Sequence, residues 1–177
     1  MYYFAYGSNM SSRYLQNVRH IQPVKSIYGY VEGYEVYIYG SGFLLLEPGF
    51  AVMSEATGKQ AHGVVHQLSP NDIKRIKRSE GSMYEWKTLL VHIGNGDVVE
   101  AEALVLQPKS IQDPRPAARC SSRYQSIMLD GAREHGLPQT YISEVESRST
   151  TYIPILSEIV GFLIVLLVKL YSMRKRD

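Results

Sequence analysis

Cysteine is almost missing from this 177-residue chain: Cys120 stands alone. No internal disulfide can form and no multi-cysteine zinc site exists, so the chain reads as cytosol-facing. A dominant charge is missing too. Nineteen Lys and Arg against 17 Asp and Glu leave a net +2, too weak a bias for an electrostatic footprint on nucleic acid, and no such partner is expected. His20, His62, His66, His92 and His135 are scattered, and no H-E-x-x-H or comparable ligand set occurs. Neither a metal nor a cofactor is therefore expected. There is no G-x-S-x-G elbow and no G-x-x-x-x-G-K-[ST] phosphate loop. Met1 to Tyr6 has no basic stretch followed by a long apolar core, so it does not read as a secretory signal.

Phenylalanine is scarce, with four residues against fourteen tyrosines. Many of the tyrosines sit in strand-like runs, where their hydroxyls can serve as handles around a polar ligand. Tyr2 to Tyr6 is aromatic and β-prone, and stops at Gly7. Ser8-Asn9 offers caps for a short helix over 11–18. Ile27 to Tyr39 predicts one or two twisted strands; Phe43 to Leu46, Phe50 to Ser54 and Ala61 to Leu68 predict further strands, the last two around a Gly58-Lys59 turn. Ser69-Pro70-Asn71-Asp72 opens a helix that stops at Gly81. Trp86 to Ile93 and Val98 to Leu106 form a hairpin around Gly94-Asn95-Gly96-Asp97. A proline-bearing loop runs from Gln107 to Pro116. Ser121 or Ser122 caps a helix running to His135, and Gln139 to Ser147 is one more. Strands, helix, strands, then helices is not βαβ alternation. The expected class is α+β with a mainly β core.

Long apolar runs are absent until the C-terminus. Ile153 to Tyr171 is 19 residues in which only Ser157, Glu158 and Lys169 are strongly polar. As a helix it spans roughly 28 Å, near the ~30 Å of a bilayer's hydrocarbon, and Ile159 to Val168 is apolar on every face. The organisation expected is a folded domain over 1–147, a linker over 148–152, a transmembrane helix over 153–171 and a basic tail over 172–177. That anchors the chain in a membrane by its C-terminus, with the folded domain cytosolic. The alternative is a cytoplasmic chain whose helix is buried on the domain or between two copies in a homodimer.

Three local features carry chemistry. Tyr6-Gly7-Ser8-Asn9 is a strand-to-helix turn whose N–H groups can form an anion-binding nest; taken alone it is only a turn. Glu80 beside Gly81 ends a basic helix, and by itself reads as an exposed glutamate. Ser121-Ser122-Arg123-Tyr124 opens a helix, with a cap and a core tyrosine as the plain reading. Together they make a pattern. Tyr3 to Met10 resembles the Y-F-A-Y-G-S-N-L/M signature of the gamma-glutamylcyclotransferase family. Gly63 to Leu68, Asp72, Glu80-Gly81 and Tyr84 resemble its G-V-h-x-L…D…E-G…Y block. Ser122-Arg123-Tyr124 and Gly131 to Tyr141 resemble its P-S-x-x-Y…G-A-x-E-x-G-L-P-x-x-Y ending. The blocks stand in family order and cover about residues 2–141.

The resemblance implies a small closed β-barrel flanked by helices, with a cavity for a gamma-glutamyl group. The implied reaction is intramolecular: the substrate's α-amine attacks its own γ-carbonyl, giving 5-oxoproline and a free amino acid. The acid/base glutamate falls on Glu80, the glutamyl-binding loop on Tyr6, Gly7, Ser8 and Asn9, and a substrate-contacting tyrosine on Tyr124. Four positions depart from the pattern. Lys77 replaces an aspartate, Phe50 the second glycine of G-G-x-A, Leu104 a tyrosine, and Arg119-Cys120 a proline. They bear on substrate range more than on reaction type. The alternatives are a membrane-anchored gamma-glutamyl-ligand-binding protein without turnover, or a cyclotransferase specific for glutathione or a peptide-like metabolite.

Overall fold

The structure, a computed structural model, describes residues 1–40, 47–81, 83–108, 119–151 and 156–173. The expected strand at Phe43 to Leu46, most of the loop from Gln107 to Pro116 and the end of the basic tail lie outside these residues.

Strand β1 (Tyr2–Ala5) leads through a 3-10 turn at Ser8–Met10 into helix α1 (Ser12–Asn17). The cap of α1 is Ser11, whose hydroxyl accepts the Tyr14 N–H, so Ser8 and Asn9 are freed for the turn before it. Strand β2 (Lys25–Tyr39) is one strand with a register shift between Glu32 and Tyr34. Strand β3 (Phe50–Gln67) joins the two expected strands: it pairs with β2 on both sides of the shift, and its extra residues between Glu55 and Gln60 bulge out, with Gly58 at φ +75°.

Helix α2 (Pro70–Ser79) follows the expected start. Ser69 caps the Asp72 N–H, Pro70 opens the first turn, and Ile73 and Ile76 are buried. Strands β4 (Tyr84–Ile93) and β5 (Val98–Leu106) form the expected hairpin, with Gly96 at φ +91°. Strand β6 (Cys120–Ser121) precedes helix α3 (Ser122–Glu134), capped by Ser121, and helix α4 (Gln139–Ser147) follows. Thr150–Thr151, expected in a linker, forms strand β7 parallel to β6.

The five long strands close into a barrel in the order β1-β3-β2-β4-β5. Neighbours are antiparallel except at the closure, where β1 lies parallel to β5 with Tyr3 opposite Glu102 and Phe4 opposite Ala103. The fold is therefore α+β, a mixed closed barrel with flanking helices. Phe4, Val65, Val91 and Ala103 fill it, and Met10, Leu15 and Met128 bury the helices against one end.

Helix α5 (Leu156–Met173) requires a correction. Among the described residues no helix is long and apolar enough to cross a membrane. Eighteen residues rise about 27 Å, and Glu158 and Lys169 fall within them. The helix instead lies on the domain against α2. Gly161 is buried, and a Cβ there would meet the Arg123 side chain at 2.8 Å.

Candidate functional site

The barrel, the turn after β1, α3 and α5 enclose a cavity of about 300 Å³. All six residues singled out from the sequence line it: Tyr6, Gly7, Ser8, Asn9, Glu80 and Tyr124. They arrive from three places. β1 runs down the barrel wall and delivers the turn. Glu80 is the first extended residue after α2. Tyr124 sits in the first turn of α3, whose start is fixed by a buried carboxylate: Glu47 accepts from Ser121 Oγ at 2.6 Å and from Arg123 Nη2 at 3.0 Å.

Arg19 is the residue the sequence did not flag. Its Nη2 donates to Glu80 Oε1 at 2.8 Å, and the two side chains are 13% and 16% exposed. Arg19 Nη1 also donates to Ser79 Oγ. The ion pair fixes one oxygen of a largely buried carboxylate at the cavity wall. Burial acts to lower the Arg19 pKa, but Glu80 and the tyrosines Tyr14 and Tyr3 outweigh it and hold the guanidinium charged.

Tyrosines supply most of the remaining polar lining. Tyr6 Oη donates to the Leu104 carbonyl at 2.9 Å, so Tyr6 straps the turn to β5. Tyr3 Oη accepts from Asn9 Nδ2 at 3.0 Å. Tyr84 Oη donates to the Ala51 carbonyl at 3.4 Å. Tyr124 Oη accepts the Ala51 N–H at 3.2 Å, and the Ser8 amide also faces it. One N–H of the expected nest is thus turned toward a phenol. Burial, with the negative charge of Glu80 added at Tyr3, Tyr6 and Tyr84, raises these phenols above their ordinary range. Burial does the same for Tyr124. They are neutral hydrogen-bonding groups at any physiological pH.

The turn itself is held from behind by His66, which is fully buried. Its Nε2 lies 3.0 Å from the Asn9 carbonyl and its Nδ1 2.8 Å from Ser26 Oγ. A carbonyl only accepts, so Nε2 carries the proton and Nδ1 accepts from the serine. Burial is the main cause that pulls the His66 pKa down to about 4. Asn9 Oδ1 is buried with no partner among the described residues, an acceptor at the cavity for a ligand N–H. Two glycines make these approaches possible. A Cβ on Gly7 would stand 2.8 Å from Tyr124 Oη, and one on Gly131 would stand 2.6 Å from the backbone of Met10 and Ser11.

The departures from the resembled pattern divide by location. Lys77 points away from the cavity, paired with Glu102 at 2.5 Å and stacked over Trp86. Phe50 and Leu104 line the cavity, Phe50 with its ring edge-on to Tyr124 at 5.3 Å. Among the described residues no three His, Cys, Asp or Glu side chains gather to hold a metal ion.

Comparison with known proteins bears on this arrangement. The family model described as gamma-glutamyl cyclotransferase, AIG2-like matches residues 3–125. The chain is 27% identical over 175 residues to gamma-glutamyl cyclotransferase aclK of Aspergillus oryzae, a match covering 87% of this chain and 63% of that protein. It therefore spans less than two thirds of that relative's length. It is 24% identical over 157 residues to gamma-glutamylcyclotransferase of Mus musculus, covering 82% of this chain and 77% of that one. A solved structure of a gamma-glutamyl cyclotransferase superposes with a TM-score of 0.72 at 18% identity, over 90% of this chain and 96% of the other, a likeness of fold.

Proposed function

Because this chain belongs to the gamma-glutamyl cyclotransferase, AIG2-like family, we propose that it is a gamma-glutamylcyclotransferase, with Glu80 as general acid and base. The observation that carries the reading is the Arg19–Glu80 pair at 2.8 Å on the wall of the cavity that Tyr6 to Asn9 and Tyr124 also line. The names of the Aspergillus and mouse relatives support it.

The reaction is a ring closure. The substrate's α-amine attacks its γ-carbonyl carbon, forming a C–N bond while the carbonyl π electrons move to oxygen. Glu80 takes a proton from the attacking nitrogen. The carbonyl re-forms, the original amide C–N bond breaks, and Glu80 returns the proton to the departing amine. Atoms balance with no water and no co-reactant; the products are 5-oxoproline and the released amine. Arg19 keeps the carboxylate aimed. Tyr124 and the backbone of the Gly7–Asn9 turn bind the glutamyl part, and the neutral phenols of Tyr3 and Tyr124, whose hydroxyl oxygens accept from Asn9 and Ala51, offer their O–H groups to the developing oxyanion without adding negative charge beside Glu80. Folding the substrate so that amine and carbonyl meet supplies a large part of the acceleration. The reading includes a cytosol-facing chain, supported by a single cysteine that is buried and has no second thiol to pair with.

The test is 5-oxoproline release from gamma-glutamyl dipeptides. Glu80→Gln is expected to lose on the order of 10²–10⁴ in kcat while still binding substrate, because the amide keeps the shape of the carboxylate. Near wild-type turnover in a folded Glu80→Gln protein would remove Glu80 from the chemistry.

A further inference from the structure

The cavity has a wall that lies outside the region matched by the family model. Ile164 and Val168 of α5 line it, whereas the match ends at residue 125. With Gly161 they stand at i, i+3 and i+7, one stripe of the helix. Gly161 is the contact point: its bare Cα lets α5 approach the Arg123 side chain. Leu163, Leu166 and Leu170 lie on another stripe and are 47%, 40% and 52% exposed. The helix is thus seated by one particular face, and that face closes the cavity.

The cavity lining divides by chemistry. A gamma-glutamyl group carries an ammonium and a carboxylate, and its partners are the polar residues: Glu80, Arg19, Asn9, the turn and the phenols. What remains is apolar except for Arg123, whose guanidinium is paired with the buried Glu47 at 3.0 Å: Phe50, Met83, Leu104, Ile127, Ile164 and Val168. Two of these, Phe50 and Leu104, stand where the resembled pattern has a glycine and a tyrosine, so both departures leave apolar carbon at the site. We propose that this wall receives the amine half of the substrate, that the substrate is a gamma-glutamyl amide whose amine part bears a bulky apolar side chain, and that Ile164 and Val168 of α5 determine this specificity. The proposal rests on the cyclotransferase reading, since only that reaction divides the substrate into a constant glutamyl half and a variable amine half. A charged side chain against these apolar residues loses hydration, and the one guanidinium beside them, Arg123, is already paired with Glu47; a hydrogen side chain leaves the wall unfilled.

Two measurements on the full chain separate the two readings. The first is kcat/KM for gamma-glutamyl-leucine and gamma-glutamyl-glycine. The wild type is expected to favour leucine by about 10–100-fold, and Ile164→Ser or Val168→Ser to lower that ratio about fivefold or more. Ile164→Ala and Val168→Ala, gentler on folding, are expected to lower it in the same direction. Leu167→Ser, on an exposed part of the same helix, is expected to leave it unchanged. The second is calorimetric Kd of the same two dipeptides on Glu80→Gln protein, which reports the preference without turnover. A ratio near one in both measurements, or a ratio the α5 variants do not move, overturns the wall with the cyclotransferase activity intact. Preference for leucine in binding, together with no 5-oxoproline from any dipeptide, supports the apolar wall and overturns the cyclotransferase reading. No binding and no turnover overturn both.

Discussion

Tyr124 connects three separate stretches of the chain. It grows from α3, its hydroxyl accepts the Ala51 N–H from β3, and it occupies the space that a side chain on residue 7 would need. Tyr124→Phe is expected to lower both activity and stability. The lost hydroxyl strands a buried N–H, at a cost of about 1–3 kcal/mol, so the melting temperature and kcat/KM fall together. Unchanged kinetics with a lower melting temperature would leave Tyr124 a packing residue. Arg19 and Glu80 form the second test at this scale. If Arg19 acts by aiming Glu80, Arg19→Ala lowers kcat more than it raises KM. The Arg19→Ala, Glu80→Gln double variant is then much less impaired than the product of the two single losses, as expected for side chains in contact. Strict additivity would separate their roles.

Among the elements, α3 positions the binding turn by pressing on it without a side chain in between. Gly131 faces the Met10–Ser11 backbone, and the atoms a Cβ would strike at 2.6 Å are main-chain atoms that cannot rotate away. Gly131→Ala is therefore expected to cost about 1–3 kcal/mol by overpacking and to weaken substrate binding by displacing the turn. Thermal unfolding with and without a gamma-glutamyl dipeptide reads both effects; a variant as stable as the wild type would mean that α3 and the turn have slack between them. Helix α5 teaches a different lesson. Its run from Ile159 to Val168 is apolar on every face, yet its Gly161–Ile164–Val168 face lies against the domain. All-round apolarity states only that a helix avoids water, and a cavity mouth can satisfy part of that requirement as a membrane can.

The molecule as a whole has a pH dependence that traces to His66. Its pKa is pulled down from the ordinary 6.5 to about 4, first by burial and then by the nearby His135, against the Asn9 carbonyl and Glu134. Between those two values the unfolded chain holds a proton that the folded chain does not. Stability from this group is therefore complete above about pH 6.5 and is lost as the pH falls toward 4. The full amount is on the order of 3 kcal/mol. Urea unfolding at pH 7 and pH 5 is expected to show the decline, and His66→Gln, which does not titrate, to flatten it. An equal slope in both proteins would assign the effect to other groups.

The sequence by itself determined the α+β class, the β4–β5 hairpin, the capped start of α2 and, through the family pattern, the six residues that meet at the cavity. Each is written locally: an Asn-Gly turn, a Ser-Pro helix opening, and a Tyr6-Gly7-Ser8-Asn9 turn whose residue types fit its geometry. Tertiary structure alone decided what those residues face. Arg19 stands 61 residues from Glu80 along the chain with no motif around it, so only the packing of the segment after α1 against the end of α2 makes the pair. The unity of β3 was hidden because two apolar runs are separated by Glu55 to Gln60, and it is pairing with β2 at both ends of that stretch, rather than local propensity, that joins them into one strand. The side of α5 that meets the cavity was equally hidden. A helix apolar on every face carries no periodic signal of which face is turned inward, and here the close approach at Gly161 chose it.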